Sequence, residues 1–502
     1  MSRRRPSRRW IVGRLVASGL LTPAALWSFA ATAAGNGANL GSLLRFAARR
    51  YGSAVALVDE AGPVTFAVLA DQSERMAAAL RDGHGIRKGD TVGILCRNGA
   101  GLVRGVFAAA RLGARVTLLN PEMARPQLAA LVERHRIKLV IVEAETEALV
   151  EGCPEIGADA LLDAAPAAYR RLARVAGGEL VVLTGGTTGA PKAAARKPAP
   201  LAFVRLFLHL VAALGLDRYP SAFVGVPLFH GYGIAAFLVA LTLGRTVHLT
   251  RRFEAASAAA LIERERIEAA VVVPSMLRRM LAQKAELGSL KCVISGGAAL
   301  AAPLAVETRE RLGDVLFNLY GTSEGGVAVF ATPADLAEAP DTIGREIWGV
   351  RVTIRDGEDR PVPDGQTGRI CVESSAAVSQ SGWIETGDLG LRDAAGRLFV
   401  RGRVDDMIVS GGENVSPWEV ETVLMTHPEV KEAAAVGVPD ADFGQRLVAY
   451  VVPREGSGLT AEGLSAWLSE RVARYQRPRA IEIRGDLPLT AIGKIDKKAL
   501  AR

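Results

Sequence analysis

Short apolar runs and stretches of helical periodicity alternate along the first part of this chain. The runs Ala56-Leu57-Val58, Thr91-Val92-Gly93-Ile94-Leu95, Val116-Thr117-Leu118-Leu119, Leu139-Val140-Ile141-Val142 and Glu179-Leu180-Val181-Val182 have the length and composition of buried strands. Residues 43–51 precede the first run, and 66–80, 102–112 and 128–135 lie between later ones. Their apolar side chains fall on one helical face, as at Val68, Leu69, Met76 and Leu80. Strict alternation of this kind predicts mostly parallel sheets covered by helices. Two more buried strands follow at 269–273 and 292–295, and another at 315–319. The apolar stretch 237–243 reads as a helix.

The pattern changes between residues 340 and 400. Short strands at 351–354, 369–372 and 397–400 are separated by the turn signals Pro363-Asp364-Gly365 and Ala395-Gly396. This predicts a small β-rich subdomain. The remaining residues read as a helix opened by Pro417, strands at 433–438 and 447–452, a helix at 461–474 and a strand at 481–483. The expected fold is therefore α/β. A large N-terminal domain of mostly parallel sheets with helices carries the β-rich subdomain, and a small α+β C-terminal domain follows. A chain of 502 residues is too long for a single core.

Composition narrows the function. The chain is 49% hydrophobic and 23% charged, as ordinary globular proteins are. The net charge is +8, but Arg3, Arg4, Arg5, Arg8 and Arg9 supply five of those charges. The body is only mildly basic and carries no nucleic-acid stripe. Cys96, Cys153, Cys292 and Cys371 are far apart and show neither metal spacing nor disulfide density.

The chemistry concentrates in Thr184-Gly185-Gly186-Thr187-Thr188-Gly189-Ala190-Pro191-Lys192, directly after a strand. Glycines let backbone N–H groups approach an anion, threonine hydroxyls add donors, and the lysine adds a positive charge. The residues read as a polyphosphate-binding loop or, more plainly, as a Gly/Thr-rich surface turn. A Walker loop is excluded, because no Gly-Lys-Ser/Thr follows at the required spacing.

This stretch resembles the signature loop of the adenylate-forming enzymes, which include acyl-CoA synthetases, luciferases and peptide-synthetase adenylation domains. Four further motifs occur in the family's order: Tyr320-Gly321-Thr322-Ser323-Glu324, Thr386-Gly387-Asp388, Arg401-Gly402-Arg403-Val404-Asp405 and Pro488-Leu489-Thr490-Ala491-Ile492-Gly493-Lys494-Ile495. The resemblance covers residues 36–502 and is closest to bacterial fatty-acid–CoA ligases. Two departures are conservative: Ala193 follows the lysine where the family has glycine, and Ser323 replaces threonine.

The resemblance implies residue roles. Thr184, Gly185, Gly186, Thr187, Thr188, Gly189 and Lys192 would hold the phosphates of ATP. His230, within Pro227-Leu228-Phe229-His230, would border and orient the acyl carboxylate. Gly297 and Ala298 would line one face of adenine, with Tyr320 against the ring. Ser323 would reach the α-phosphate and carboxylate, and Glu324 would hold Mg²⁺. Asp388 would accept the ribose hydroxyls, since a carboxylate has two acceptor oxygens. Arg403 would contact ribose or phosphate, and Asp405 would be the hinge to a mobile C-terminal domain. Gly411 and Gly412 would line the pantetheine tunnel during thioester formation. Lys494 would neutralise charge between carboxylate and α-phosphate. On this basis the expected domains are 1–35, 36–403 and 404–502.

The activity so implied is an ATP- and Mg²⁺-dependent fatty-acid–CoA ligase, with CoA as co-substrate. The apolar stretch after His230 and the basic, apolar N-terminus favour a medium- or long-chain fatty acid, with aryl and short acids left open as alternatives. The alternatives are a fatty-acyl-AMP ligase loading a carrier protein, and a non-catalytic membrane-associated lipid-binding protein. No nucleic-acid partner is expected, and a homodimer is a guess.

Residues 1–34 pair an Arg cluster with a charge-free stretch from Leu15 to Gly35. They read as a signal peptide, since Ser7-Arg8-Arg9-Trp10 resembles a twin-arginine signal, as a span, as a structural N-terminal helix, or as a segment lying on an anionic membrane. ATP and CoA chemistry favours the cytoplasm, so peripheral contact with the inner membrane face is the preferred expectation.

Overall fold

The computed structural model describes residues 13, 16, 19, 22–166, 172–184, 192–196, 200–322, 325–374, 382–410, 413–440, 442–490 and 493–501. They fall into two compact units. The first holds the residues up to Val272 together with Ala282–Ile294, and the second holds Val273–Leu281, Ser295–Ser374 and 382–501.

The first unit contains the expected parallel sheets. In one, Thr91–Leu95 lies between Arg115–Leu118 and Ile137–Val142, and Glu179–Thr184 pairs in parallel beyond Arg115–Leu118. Thr91–Leu95 is buried throughout, which explains its unbroken apolar run. The helices Phe66–Gly83 and Ala100–Arg111 bury Leu69, Met76, Leu80, Val103 and Phe107, whereas Val68, expected on the same face, is exposed in the first turn; Thr65 caps the first helix by accepting from the Val68 N–H at 3.2 Å. In the second sheet Val55–Asp59, Thr246–His248, Ser221–Val224 and Ala269–Val272 run parallel in that order, with Gly62–Thr65 antiparallel at one edge.

Lys192 is not part of a free loop. It opens a strand, Lys192–Arg196, that runs antiparallel to Glu179–Thr184, and Thr184 and Lys192 are register partners. The residues after Lys192 are mostly alanines, whose weak strand propensity hid this edge strand.

The helix expected at 237–243 starts earlier, as Gly231–Thr242. Gly233 allows this start, because a Cβ there would stand 2.2 Å from the Pro227 carbonyl oxygen. The segment before the first sheet holds a helix, Pro23–Asn36, whose N-cap Thr22 accepts from the Ala25 N–H at 3.2 Å. Its Phe29 meets Phe46 edge-on at 6.0 Å, while Leu26 and Trp27 point outward. Among the described residues no helix is long and apolar enough to cross a membrane.

In the second unit Leu316–Thr322 and Gly326–Ala331 form an antiparallel pair. An antiparallel meander of Val350–Arg355, Gly368–Ser374, Ile384–Arg392 and Leu398–Arg403 gives the β-rich part. The third of these strands had not been read from the sequence. Asp388 therefore lies within a strand. The last part pairs Val430–Asp440 with Gly444–Pro453 and adds Ala480–Ile483 in parallel. Val420, Leu424, Val430, Leu447, Val451, Leu464 and Leu468 fill its core. Each such side chain contributes about 1.5–3 kcal/mol on burial. The helix expected at 461–474 ends at Ser469, and the Gln476 side chain accepts from the Ala473 N–H to build a separate turn.

Candidate active site

In the second unit four of the expected residues come together. Asp388 and Arg403 are register partners on neighbouring antiparallel strands, so their side chains emerge side by side. Arg403 Nη1 donates to Asp388 Oδ1 at 3.0 Å. The Tyr320 hydroxyl, from the strand Leu316–Thr322, donates to Asp388 Oδ2 at 2.7 Å. Gly387 adopts φ +77°, and a Cβ at that position would stand 2.8 Å from Arg403 Nη2. The Gly before Asp388 thus makes room for the guanidinium.

Asp388 is buried. Burial pushes its carboxyl above the usual range, and Tyr320, Arg403 and Lys494 oppose that shift. The Tyr320 hydroxyl is likewise pushed up, by burial and then by Asp388, so it remains a proton donor.

Lys494 sits in a tight turn whose sequence explains its shape. The Gly493 N–H donates to the Thr490 carbonyl at 2.8 Å, the Thr490 N–H to the Lys494 carbonyl at 2.7 Å, and the Lys494 N–H to Thr490 Oγ1 at 3.2 Å. Gly493 takes φ +75°, which favours glycine. Burial, then Arg403, lowers the pKa of the Lys494 ammonium, while Asp388 opposes the shift. Lys494 therefore lies within electrostatic reach of the Asp388–Arg403 pair. Asp405 follows in a turn, its carboxylate 3.6 Å from Arg403 Nη2. Gly297 and Ala298 follow the strand Cys292–Gly296, with Gly297 at φ +77°.

In the first unit the two ends of the Gly/Thr-rich segment are pinned by the pairing of Thr184 with Lys192. His230 is half-buried, directly before the helix Gly231–Thr242, and its ring packs on Phe229 at 4.7 Å. Asn98 fixes the turn leading to it: Oδ1 accepts from the Leu228 N–H at 2.7 Å, and Nδ2 donates to the Val226 carbonyl at 3.4 Å. Tyr232 donates its hydroxyl to the Ile294 carbonyl at 2.9 Å. Asn98 and Tyr232 were not singled out from the sequence. The available signal was a polar Asn just past the C-terminal end of a buried strand, where α/β sheets gather their functional groups.

Gly185, Gly186, Thr187, Thr188, Gly189, Ser323, Glu324, Gly411 and Gly412 lie outside the described residues. Among the described residues no group of three or more His, Cys, Asp or Glu could hold a metal. Cys96, Cys292 and Cys371 are buried and Cys153 is half-buried. Burial pushes the Cys292 thiol up to about 12 and that of Cys96 higher still.

Parallel sheets bearing a Gly/Thr-rich hairpin connection, with a carboxylate–arginine–lysine cluster in a second unit, define the adenylate-forming class. The chain belongs to the AMP-binding enzyme family, whose main domain matches residues 44–380 and whose C-terminal domain matches residues 419–494. It is 34% identical to the indoleacetate–CoA ligase of Aromatoleum aromaticum, over 86% of this chain and 92% of that one. It is 32% identical to a feruloyl-CoA synthase of an Amycolatopsis species, over 88% of this chain and 94% of that one. The o-succinylbenzoate CoA synthetase of Bacillus subtilis, solved with its acyl-adenylate intermediate, superposes with a TM-score of 0.78 at 30% identity, covering 92% of this chain and 98% of that one. The same synthetase solved with ATP and a magnesium ion gives a TM-score of 0.78 at 29% identity, covering 90% and 98%.

Proposed function

We propose that this chain activates an aromatic carboxylic acid with ATP and Mg²⁺ as an acyl-adenylate, then transfers the acyl group to CoA. The products are acyl-CoA, AMP and pyrophosphate. The observation that carries the chemistry is the cluster of Tyr320, Asp388, Arg403 and Lys494. A binding protein has no need of a desolvated lysine beside a nucleotide-type carboxylate. The acid class replaces the fatty acid expected from the sequence. Indoleacetate, ferulate and o-succinylbenzoate, named for the relatives, each carry an aromatic ring.

The chemistry needs no side-chain nucleophile. A carboxylate oxygen of the acid attacks the α-phosphorus of ATP, the bond to the bridging oxygen breaks, and pyrophosphate leaves. Positioning and charge stabilisation therefore carry the catalysis. Lys494 faces the charge that develops between acid and phosphate. Asp388 holds the ribose hydroxyls through the lone pairs left over by Tyr320 and Arg403, since a carboxylate offers about four acceptor sites. Lys192 and the Thr184–Gly189 residues hold the outer phosphates, and His230 orients the acid. Glu324 suits Mg²⁺, which takes one or two carboxylates beside substrate phosphates and neutralises their charge. In the second half-reaction the CoA sulfur attacks the acyl carbon and AMP leaves. The residues from 404 onward move about Asp405 between the two steps, and Gly411 and Gly412 serve the second.

Pyrophosphate release is measured against indoleacetate, ferulate, benzoate and a series from acetate to oleate, each with and without CoA. CoA-stimulated release greatest with a ring-bearing acid is expected. A maximum with a fatty acid restores the original expectation of substrate. Release that CoA does not accelerate favours loading of a carrier protein.

A cytoplasmic location follows from the need for ATP and CoA. For residues 1–34 the reading is contact with an anionic membrane surface, supported by the five N-terminal arginines and by a charge-free helix exposing Leu26, Trp27 and Phe29. Co-sedimentation with phosphatidylglycerol vesicles, but not phosphatidylcholine vesicles, tests it. Binding unchanged in Trp27→Ala would argue against that face.

A further inference from the structure

The proposed reaction requires Lys494 in the first step and a different arrangement in the second. Something must hold Lys494 in place and also let it go. The second unit contains a helix, Pro274–Leu281, that touches two separate parts of the C-terminal residues. At its start Ser275 Oγ donates to the carbonyl of Gly493, the residue directly before Lys494. The fit there is close. A Cβ on Gly493 would stand 3.2 Å from Ser275 Oγ and 3.3 Å from Val273 Cγ2. One turn later Arg278 Nη2 pairs with Glu432 at 2.6 Å, and its Nη1 donates to the Lys431 carbonyl at 3.5 Å. The side chains of Arg278 and Glu432 are only 21% and 13% exposed. A guanidinium so desolvated depends on its carboxylate partner.

Ser275 and Arg278 stand three residues apart, so they share one face of the helix. That face meets the lysine turn at one point and the strand Val430–Asp440 at another. Any rotation that withdraws Lys494 from Asp388 and Arg403 must break both contacts.

We propose that Ser275 and Arg278 form a latch that sets the population of the arrangement with Lys494 in place. The inference rests on the proposed two-step ligase. These are positioning residues: neither is assigned a contact with substrate. Breaking the latch lowers the first half-reaction by depopulating that arrangement and leaves the second intact or faster.

The test uses the full chain and the panel acid that turns over fastest. Arg278→Ala and Glu432→Gln should each reduce pyrophosphate release without CoA by about tenfold. Thioester formation from the chemically prepared acyl-adenylate should stay within about twofold of the parent. The swap Arg278→Glu with Glu432→Arg should restore most of the first half-reaction. Ser275→Ala, a smaller change, covers the case in which the charge variants fold poorly. Equal loss of both half-reactions without rescue by the swap would overturn the latch, as would no change in either. Hydrogen exchange of the 488–497 segment supplies a readout independent of activity, and it should accelerate in Arg278→Ala. Inert parent protein with accelerated exchange in the variant would refute the ligase and keep the latch. Active parent protein with unchanged exchange would do the reverse.

Discussion

Asp388 and Arg403 face each other across two antiparallel strands, and their side chains close the pair at 3.0 Å. The backbone register alone places a carboxylate against a guanidinium, and Tyr320 takes the remaining oxygen at 2.7 Å. The nucleotide end of the proposed site is therefore assembled before any ligand arrives. Preorganisation of this kind is what charge stabilisation requires.

Asp388→Asn tests that assembly. The amide keeps the shape but turns one acceptor into a donor facing Arg403 or Tyr320. Overall turnover should fall about a hundredfold, as expected when a positioned group shifts. Stability should change by only about 1 kcal/mol, because Arg403 is 40% exposed and can rehydrate. Steady-state kinetics and thermal melting of the same variant check both halves of the statement.

Tyr320→Phe removes the hydroxyl and keeps the ring. Loss of the bond to a buried carboxylate should cost about 1–3 kcal/mol of stability. The ring face remains for stacking, so the KM for ATP should rise less than in Tyr320→Ala. Equal KM values in the two variants would rule out the ring contact.

Lys494→Ala should lower adenylation by roughly 10²–10³ and largely spare thioester formation from supplied acyl-adenylate. The pH profile of the parent protein carries a second check. Burial and Arg403 lower the Lys494 pKa, so its charge is lost below the ordinary lysine value of ~10.4. Adenylation needs the charged form and should decline on the alkaline side before that value. Lys494→Arg, which keeps its charge there, should move the decline upward while lowering the plateau. The same shift has a stability sign. Between the folded and unfolded pKa the unfolded chain binds more protons, so this group's contribution to stability rises with pH across that window.

Asn98→Ala should destabilise the first unit by about 1–3 kcal/mol, because the buried Leu228 N–H loses its acceptor. The turn before His230 should loosen with it. A rise in KM for the acid, with KM for ATP unchanged, is the expected kinetic signature.

Much of this was legible in the sequence for definite reasons. The runs at 92–95 and 139–142 carry no polar side chain because both faces of those strands are covered. Thr490, Gly493 and Lys494 could be read together because one turn ties them through their own backbone. The strand Lys192–Arg196 was missed because alanine has little strand preference, and Ile384–Arg392 because Gly387 and Asp388 look like a turn. The class of acid was not legible for another reason. An apolar helix such as Gly231–Thr242 suits an alkyl chain and an aromatic ring alike. The contact of Ser275 with Gly493 joins residues 218 positions apart, and no local pattern announces it.

The cysteines have a consequence for an enzyme that hands an activated acyl group to a sulfur. A thiolate, not a thiol, is the attacking species. Three of the chain's four thiols are enclosed, and those of Cys96 and Cys292 hold their protons far above neutral pH. These enclosed sulfurs are thereby kept from capturing the intermediate, and the acyl group is left for the thiol that enters from solution.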